Sequence, residues 1–148
     1  MNTISEVRFF LTEYLQTCKT MNADQVSAFW HFPCEISVFG KSRICQNQTE
    51  LAAAILQSQS LYDAYDIAAL RKNVCFVHVP DDGEALVCTQ DKALDANDEV
   101  MGQWSCTYLM QKQQDNCWGL CKLKITTDDP AVLDQDVPNQ AASLLSLS

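Results

Sequence analysis

Basic side chains are scarce in this sequence, which has ten Lys and Arg against nineteen Asp and Glu and a formal net charge of −9. An acidic surface repels the phosphate groups of nucleic acids and the headgroups of anionic lipids. The composition therefore predicts a protein that binds neither nucleic acid nor a membrane surface.

Long apolar runs are lacking too. No unbroken run approaches the roughly 18 residues that a membrane-spanning helix needs, and the segment Met1–Glu6 has neither the basic nor the apolar stretch of an export signal. We therefore expect a cytoplasmic protein. In that compartment the eight cysteines are expected to be free thiols that serve as small buried side chains.

Metal-binding patterns are missing as well. The sequence contains no Cys-x-x-Cys, and its two histidines, His31 and His78, have no zinc-like spacing with cysteine. Cys117 and Cys121 lie four positions apart in a predicted strand, so their Cα atoms would be roughly 13 Å apart, beyond the ~7 Å limit for a disulfide. We expect no metal and no other cofactor.

The first part of the chain predicts three helices and a hairpin. Helical periodicity covers residues 4–18, a second helix starts near residue 22 and ends before the proline at position 33, and a third covers 47–58. Each starts with Thr or Asn followed three residues later by Glu or Gln, which is a capping pattern. Residues 35–45 between the second and third helices predict a short hairpin.

The rest of the chain has the periodicity of strands. Four long strands are predicted, over residues 67–79, 85–94, 100–112 and 117–126. Short turns join them, so they are expected to form an antiparallel meander that the helices cover. This predicts an α+β protein with one domain over residues 1–126 and an acidic tail over 127–148.

This order of elements resembles the nuclear transport factor 2-like superfamily. The segments that carry the resemblance are Asn22-Ala23-Asp24, Phe29-Trp30 before a proline, and Gly119–Leu123 in the closing strand. The superfamily includes ketosteroid isomerases and SnoaL-type polyketide cyclases. The resemblance covers about residues 4–126 and implies a cystatin-like cone, in which three N-terminal helices pack on a strongly curved antiparallel sheet above a pocket.

Five side chains are predicted to form the walls of that pocket. Strand alternation places Trp104, Cys106 and Tyr108 on the face toward the helices. Helical periodicity places Tyr14 on the covered side of the first helix and Trp30 on the second. Such walls suit a flat, hydrophobic small-molecule ligand.

The isomerase resemblance implies three catalytic groups, of which this sequence supplies one. Tyr14 suits the tyrosine of the first helix, but Val38 and Phe39 occupy the region of the carboxylate base, and Cys106 stands near the position of the second acid. A thiol is a weak hydrogen-bond donor that cannot replace a carboxyl group. We therefore predict no complete catalytic constellation.

Four other polar residues are weaker candidates. Asp91 and Glu35 are expected to be solvated surface carboxylates, because both lie near strand ends. His31 is expected to cap or pack at the end of the second helix, and His78 to point outward from a strand.

The preferred function is thus a small-molecule-binding domain for an apolar or aromatic metabolite. The alternative is a cyclase, isomerase or dehydratase that acts on a hydrophobic carbonyl compound, with proton transfer by Tyr14, Asp91 or His78. A third possibility is an interaction module whose cone is filled by its own side chains. A cavity with a buried ionisable residue would favour the enzyme, an entirely apolar cavity the binding protein, and no cavity the module.

One segment also predicts a partner. Residues Asn73–Val79 are apolar at both alternating positions, so both faces of this strand are expected to be covered, and the helices can cover only one. We therefore expect a homodimer built through the outer face of the sheet.

Overall fold

The computed structural model describes residues 2–20 and 22–126, apart from the side chain of residue 61. The predicted acidic tail, 127–148, lies outside the described residues. The elements follow one another as α1 (Thr3–Lys19), α2 (Ala23–Ser27), β1 (Trp30–Val38), β2 (Lys41–Cys45), α3 (Gln48–Ala64), β3 (Ala69–Asp81), β4 (Glu84–Leu94), β5 (Val100–Lys112) and β6 (Trp118–Thr126). Within this described part, each helix is too short or too polar to cross a bilayer.

Asparagine side chains start all three helices. The side-chain oxygens of Asn2, Asn22 and Asn47 each accept the backbone N–H three residues later, at 2.9, 3.0 and 2.9 Å. Such a bond satisfies an amide that has no partner within the helix. Two of these caps are the predicted ones, whereas α1 is capped one residue earlier than the predicted Thr3.

The second helix is shorter than predicted. It ends at Ser27, and Trp30 begins strand β1 instead of closing the helix. The backbone oxygen of Phe29 accepts the N–H of Leu120 in β6 at 3.0 Å, so pairing with a distant strand replaces the helical bonds. Local periodicity carries no information on such a contact.

The third helix is longer than predicted and continues to Ala64. Residues 61–64, which the sequence left unassigned, belong to its last turn. Ser58 and Tyr62 extend the side of α3 that borders the interior of the sheet, and this packing favours continuation of the helix.

The six strands form one curved sheet in the order β2-β1-β6-β5-β4-β3. The pairs from β3 to β6 are antiparallel, as the meander predicts. The expectation of a purely antiparallel sheet is wrong at one position, because β1 runs parallel to β6, with Ile36 opposite Leu123. The sheet is therefore mixed, and the predicted α+β class is confirmed.

Alternation along β4 and β5 defines the concave face of the sheet. In β5 the buried residues are Gly102, Trp104, Cys106, Tyr108 and Met110, which include the three predicted to face the helices. In β4 the equivalent positions run through every second residue from Ala85 to Ala93. Together with the inner sides of α1 and α3, these positions form the core.

The edge strand β3 changes face along its length. A bulge between Val74 and Phe76 places Val74 opposite Thr89 and Phe76 opposite Cys88, and each bulge of this kind reverses the alternation. Phe76 therefore points to the outer face, where it is 53% exposed. His78 lies on the same outer face, its ring stacked on Phe76 at 6.2 Å between centroids.

Candidate functional site

A cavity of about 600 Å³ lies between the helices and the concave face of the sheet. Its size falls within the range of small-molecule sites, roughly 300–1,000 Å³. Much of its wall is hydrocarbon, supplied by Leu51, Ala54 and Ile55 of α3 and by Leu123 and Ile125 of β6. The cone is thus hollow.

Four of the five predicted pocket residues line this cavity: Tyr14, Trp104, Cys106 and Tyr108. The rings of Tyr14 and Tyr108 meet edge to face, with centroids 6.0 Å apart. Trp30 is not among the lining residues. It is buried at the start of β1, behind Tyr108, at 6.4 Å between ring centroids.

The main correction concerns Asp91, which is fully buried instead of solvated. It lies on the inward side of β4, directly opposite Lys72 of β3, and its carboxylate forms an ion pair with the Lys72 ammonium. A buried carboxylate requires a partner of this kind, because transfer of an isolated charge from water is very costly.

Two further donors complete the surroundings of Asp91. The Thr89 hydroxyl donates to Oδ1 at 2.8 Å, and the Cys106 thiol donates to Oδ2 at 3.3 Å. Thr89 shares the inward face of β4 with Asp91, and Cys106 of β5 lies directly opposite Thr89. We call Lys72, Thr89, Asp91, Cys106 and Tyr108 the polar cluster.

Lys72 connects this network to the cavity. Its Nζ donates to the Tyr108 hydroxyl oxygen at 3.0 Å as well as to Asp91. Burial alone would lower the pKa of Lys72, but its surroundings, with the Asp91 carboxylate as the negative charge, raise that pKa above its ordinary value. The amine is therefore a cation at neutral pH. Lys72 is not among the site residues that the sequence predicts.

The hydroxyl and thiol groups of the site keep their protons. Burial raises the pKa of Tyr14 and Tyr108, and it raises the pKa of Tyr62, a cavity residue on α3, to about 12. Burial is also the main reason that the pKa of Cys106 rises to about 12. All four groups can donate hydrogen bonds, and none is a nucleophile at neutral pH.

The other three weaker candidates, His31, Glu35 and His78, do not line the cavity. His31 is part of β1, not of a helix end, so its predicted capping role is wrong; burial lowers its pKa, and its ring packs on the backbone of Gly119. Glu35 pairs with Lys122 at 3.4 Å. Among the described residues, no three His, Cys, Asp or Glu side chains are placed to bind a metal.

The family of the chain follows from its sequence. A family model described as NTF2-like protein (DUF6841) matches residues 5–127. The chain therefore belongs to this family of NTF2-like proteins, and the resemblance drawn from the order of elements is confirmed. No curated protein matches the chain.

Solved structures with the same fold are numerous but distant in sequence. A domain of unknown function with a cystatin-like fold from Nostoc punctiforme has a TM-score of 0.66 at 17% identity and covers 96% of this chain and 93% of that chain. A ketosteroid isomerase-like protein from Erwinia carotovora atroseptica has a TM-score of 0.59 at 13% identity, with 83% and 94% covered. At such identities the similarity establishes the fold alone.

A third structure of similar fold is a complex. A protein from Catenulispora acidiphila, solved in complex with S-DNPA, has a TM-score of 0.63 at 7% identity, and the match covers 88% of this chain and 97% of that chain.

Proposed function

We propose that this protein binds a small, largely apolar ligand in the cavity and anchors one polar group of it at the polar cluster. The observation that carries the proposal is a cavity of about 600 Å³ whose hydrocarbon wall meets the charged Lys72 side chain at its inner surface. Binding sites commonly combine an apolar wall with a few convergent polar groups.

The cavity wall and the polar cluster would have separate roles. Burial of ligand hydrocarbon contributes roughly 25 cal/mol per Å², which supplies affinity without orientation. Lys72 is held by two hydrogen bonds, so its position is defined before the ligand arrives, and a preorganised donor fixes which end of the ligand lies innermost. The Catenulispora acidiphila structure supports the proposal, because a protein of similar fold was solved in complex with S-DNPA.

A second candidate is an enzyme that acts on a hydrophobic carbonyl compound. The buried Lys72–Asp91 pair beside the cavity favours it by the criterion set from the sequence. An ammonium and a tyrosine hydroxyl in a water-poor site stabilise negative charge that develops on a carbonyl oxygen. The ketosteroid isomerase-like Erwinia protein is consistent with this candidate. The Asp91 carboxylate, however, is already occupied by three donors.

The test of binding is a screen of aromatic and aliphatic metabolites by intrinsic tryptophan fluorescence, followed by calorimetry on any ligand found. Trp104→Phe changes the cavity wall and Tyr108→Phe removes a hydroxyl of the polar cluster, so both are expected to weaken binding. Trp118→Phe is the matched control, because Trp118 bonds Glu6 outside the cavity. If all three variants bind the ligand as tightly as the unmodified protein does, the proposal is wrong.

The same ligands separate the enzyme from the binding protein. An enzyme of the proposed class would exchange the α-hydrogens of a bound ketone with deuterated water, or convert the ketone to a product, and the rate would fall in Tyr108→Phe. A ligand that is bound and recovered unchanged, without exchange, identifies the binding function.

We also propose that two copies associate through the outer face of the sheet. Phe76 and His78 are exposed on this face of β3, and cover by a second copy would bury the aromatic ring. Phe76→Glu is expected to shift the mass in light scattering from dimer to monomer. Phe9→Glu, at a residue of α1 that is 61% exposed, is the control. A monomeric mass for the unmodified protein across micromolar concentrations would contradict this.

We also propose that the protein is cytoplasmic. All eight cysteines are free in the structure, including Cys34 and Cys45, which lie opposite each other on paired strands. Free thiols in such positions suit a reducing compartment.

A further inference from the structure

The polar cluster offers a ligand hydrogen-bond donors, and its single anion is covered. Lys72 and Asp91 both line the cavity, but the Asp91 side chain is 1% exposed, whereas that of Lys72 is 18% exposed. The carboxylate already accepts hydrogen bonds from Lys72, Thr89 and Cys106, so little of it is open to a ligand. A ligand that reaches this point meets N–H and O–H groups first.

The Tyr108 hydroxyl can still donate one hydrogen bond. Its oxygen accepts the bond from Lys72 at 3.0 Å, and a phenol carries one donor of its own. An ammonium has three N–H groups, of which the two described bonds of Lys72 use two. Tyr14 and Tyr62, both protonated, also line the cavity.

The charged side chains at the exposed rim of the cavity are also mainly positive. Lys19 and Arg71 border the cavity together with Asp98, in a chain whose formal net charge is −9. Rim charges are screened by salt, so their role is secondary to that of Lys72.

A donor-rich, cationic patch at the polar cluster and a hydrocarbon wall elsewhere define a class of ligand. Ligand amines and alcohols bring donors that would compete with those of the protein, and an unsatisfied buried donor is costly. A carboxylate brings acceptors only, and its bonds to an ammonium are charge-assisted and roughly twice as strong as neutral ones.

We propose that the ligand is an apolar monocarboxylate, whose carboxylate accepts hydrogen bonds from Lys72 and Tyr108 while its hydrocarbon body packs against α3 and Trp104. This inference rests on the proposed binding function. It adds the chemical class of the ligand and names Lys72 as the residue that determines specificity.

The test compares head groups on one hydrocarbon body. The probes are 2-naphthoate, 2-acetylnaphthalene and 2-naphthylmethylamine, and the matched octyl series of octanoate, 2-octanone and octylamine, each titrated by calorimetry into the full-length protein. We expect the carboxylate of at least one series to bind about tenfold or more tightly than its ketone and its amine, since one charge-assisted bond is worth about that factor.

Two variants connect this preference to the cluster. Tyr108→Phe keeps the ring and removes one donor, so it is expected to reduce the carboxylate-over-ketone ratio several-fold, because the ketone loses only a weaker, neutral hydrogen bond. Lys72→Met/Asp91→Leu removes the charge pair as a unit, avoids an unpaired buried carboxylate and is expected to abolish the ratio. Lys112→Met is the control, since Lys112 pairs with Glu6 outside the cavity.

The outcomes separate the two proposals. Ketones that bind as tightly as the carboxylates would overturn the carboxylate inference and leave the binding function standing. A carboxylate preference that persists in Lys72→Met/Asp91→Leu would overturn the role of Lys72. Absence of binding for every probe in both series would count against the binding function itself.

Discussion

Substitution of Lys72 by methionine tests the energetics of the buried ion pair. Lys72→Met keeps a long apolar side chain but removes the ammonium, while the Asp91 carboxylate stays in place with a side-chain exposure of 1%. The donors that remain described for it are Thr89 and Cys106. The variant therefore leaves a buried charge without its counter-ion.

The expected loss of stability follows from this exposure. Removal of one partner of a buried ion pair costs roughly 3–5 kcal/mol. Because the Lys72 side chain is 18% exposed and borders a cavity that has room for water, we expect the lower end, about 3 kcal/mol. A domain of this size is stable by roughly 5–15 kcal/mol, so the protein should still fold.

A double variant separates the lost charge from the lost contact. Lys72→Met/Asp91→Leu replaces both partners by apolar side chains, which is often neutral or stabilising in other proteins. Here the buried Thr89 hydroxyl would lose its acceptor, at a cost of about 1 kcal/mol or more. The double variant should therefore be more stable than Lys72→Met and slightly less stable than the unmodified protein.

Urea unfolding at neutral pH, followed by far-ultraviolet circular dichroism, measures these differences. Lys112→Met is the matched control, because the Lys112–Glu6 pair is partly exposed at 3.1 Å and such pairs contribute roughly 0–1 kcal/mol. If Lys72→Met costs no more than Lys112→Met, the pair is effectively solvated and the reasoning from its burial fails.

Three further predictions concern the rest of the molecule. Gly119→Ala would place a Cβ 2.4 Å from the His31 ring, whereas the new Cβ of Gly83→Ala would be 3.7 Å from its nearest neighbour. Only Gly119→Ala should therefore lower the free energy of unfolding, by about 1–3 kcal/mol. The pKa of Glu6 is lowered, chiefly by its hydrogen bond to a lysine, so its contribution to stability is present above the unfolded-state pKa and lost as the pH falls through the folded-state pKa. Glu6→Gln should thus be less stable than the unmodified protein at neutral pH, and the difference should shrink as the pH falls below the unfolded-state pKa; a constant difference would contradict this. Cys75 and Cys117 are exposed and should react first with a thiol reagent, with eight thiols after denaturation; a reproducible six or fewer in unreduced protein would contradict free cysteines.

Local patterns predict the parts of this fold that depend on neighbours in sequence. The asparagine caps at residues 22 and 47 and the burial of alternate residues in β5 follow from spacing alone. Trp30 shows the limit of such reasoning. Its helical spacing after Val26 is overridden by a strand pairing with Leu120, which no local pattern contains.

The polar cluster was predicted only in part, although a signal for it was present. The turn at residues 81–84, predicted from sequence, places Lys72 and Asp91 on the same face of the hairpin, because the alternation on both strands has a period of two. Two bulges in β3 then shift the register by one residue each and bring Lys72 directly opposite Asp91. The shared face could have been found by counting from the turn, but the bulges could not.

The same bulges explain the strand that is apolar at both alternating positions. Between them, Phe76 and His78 point outward, while Val74, beyond the first bulge, points inward. The sequence predicts one regular strand with both faces covered, because apolar residues occur at both alternating positions. In the structure, part of this pattern arises because the side chains of β3 change face at each bulge.

The position of β6 determines when this sheet can be completed. The last described strand lies in the middle of the sheet, between β1 and β5, and Ile36 is opposite Leu123. During synthesis the hairpin β1–β2 therefore lacks its inner neighbour until β6, residues Trp118–Thr126, has been made. Contacts of such long sequence separation slow folding, and the apolar side chains of β1 stay without their final cover in the meantime. Folding of β1 and β2 thus depends on a strand that is made only after β3, β4 and β5.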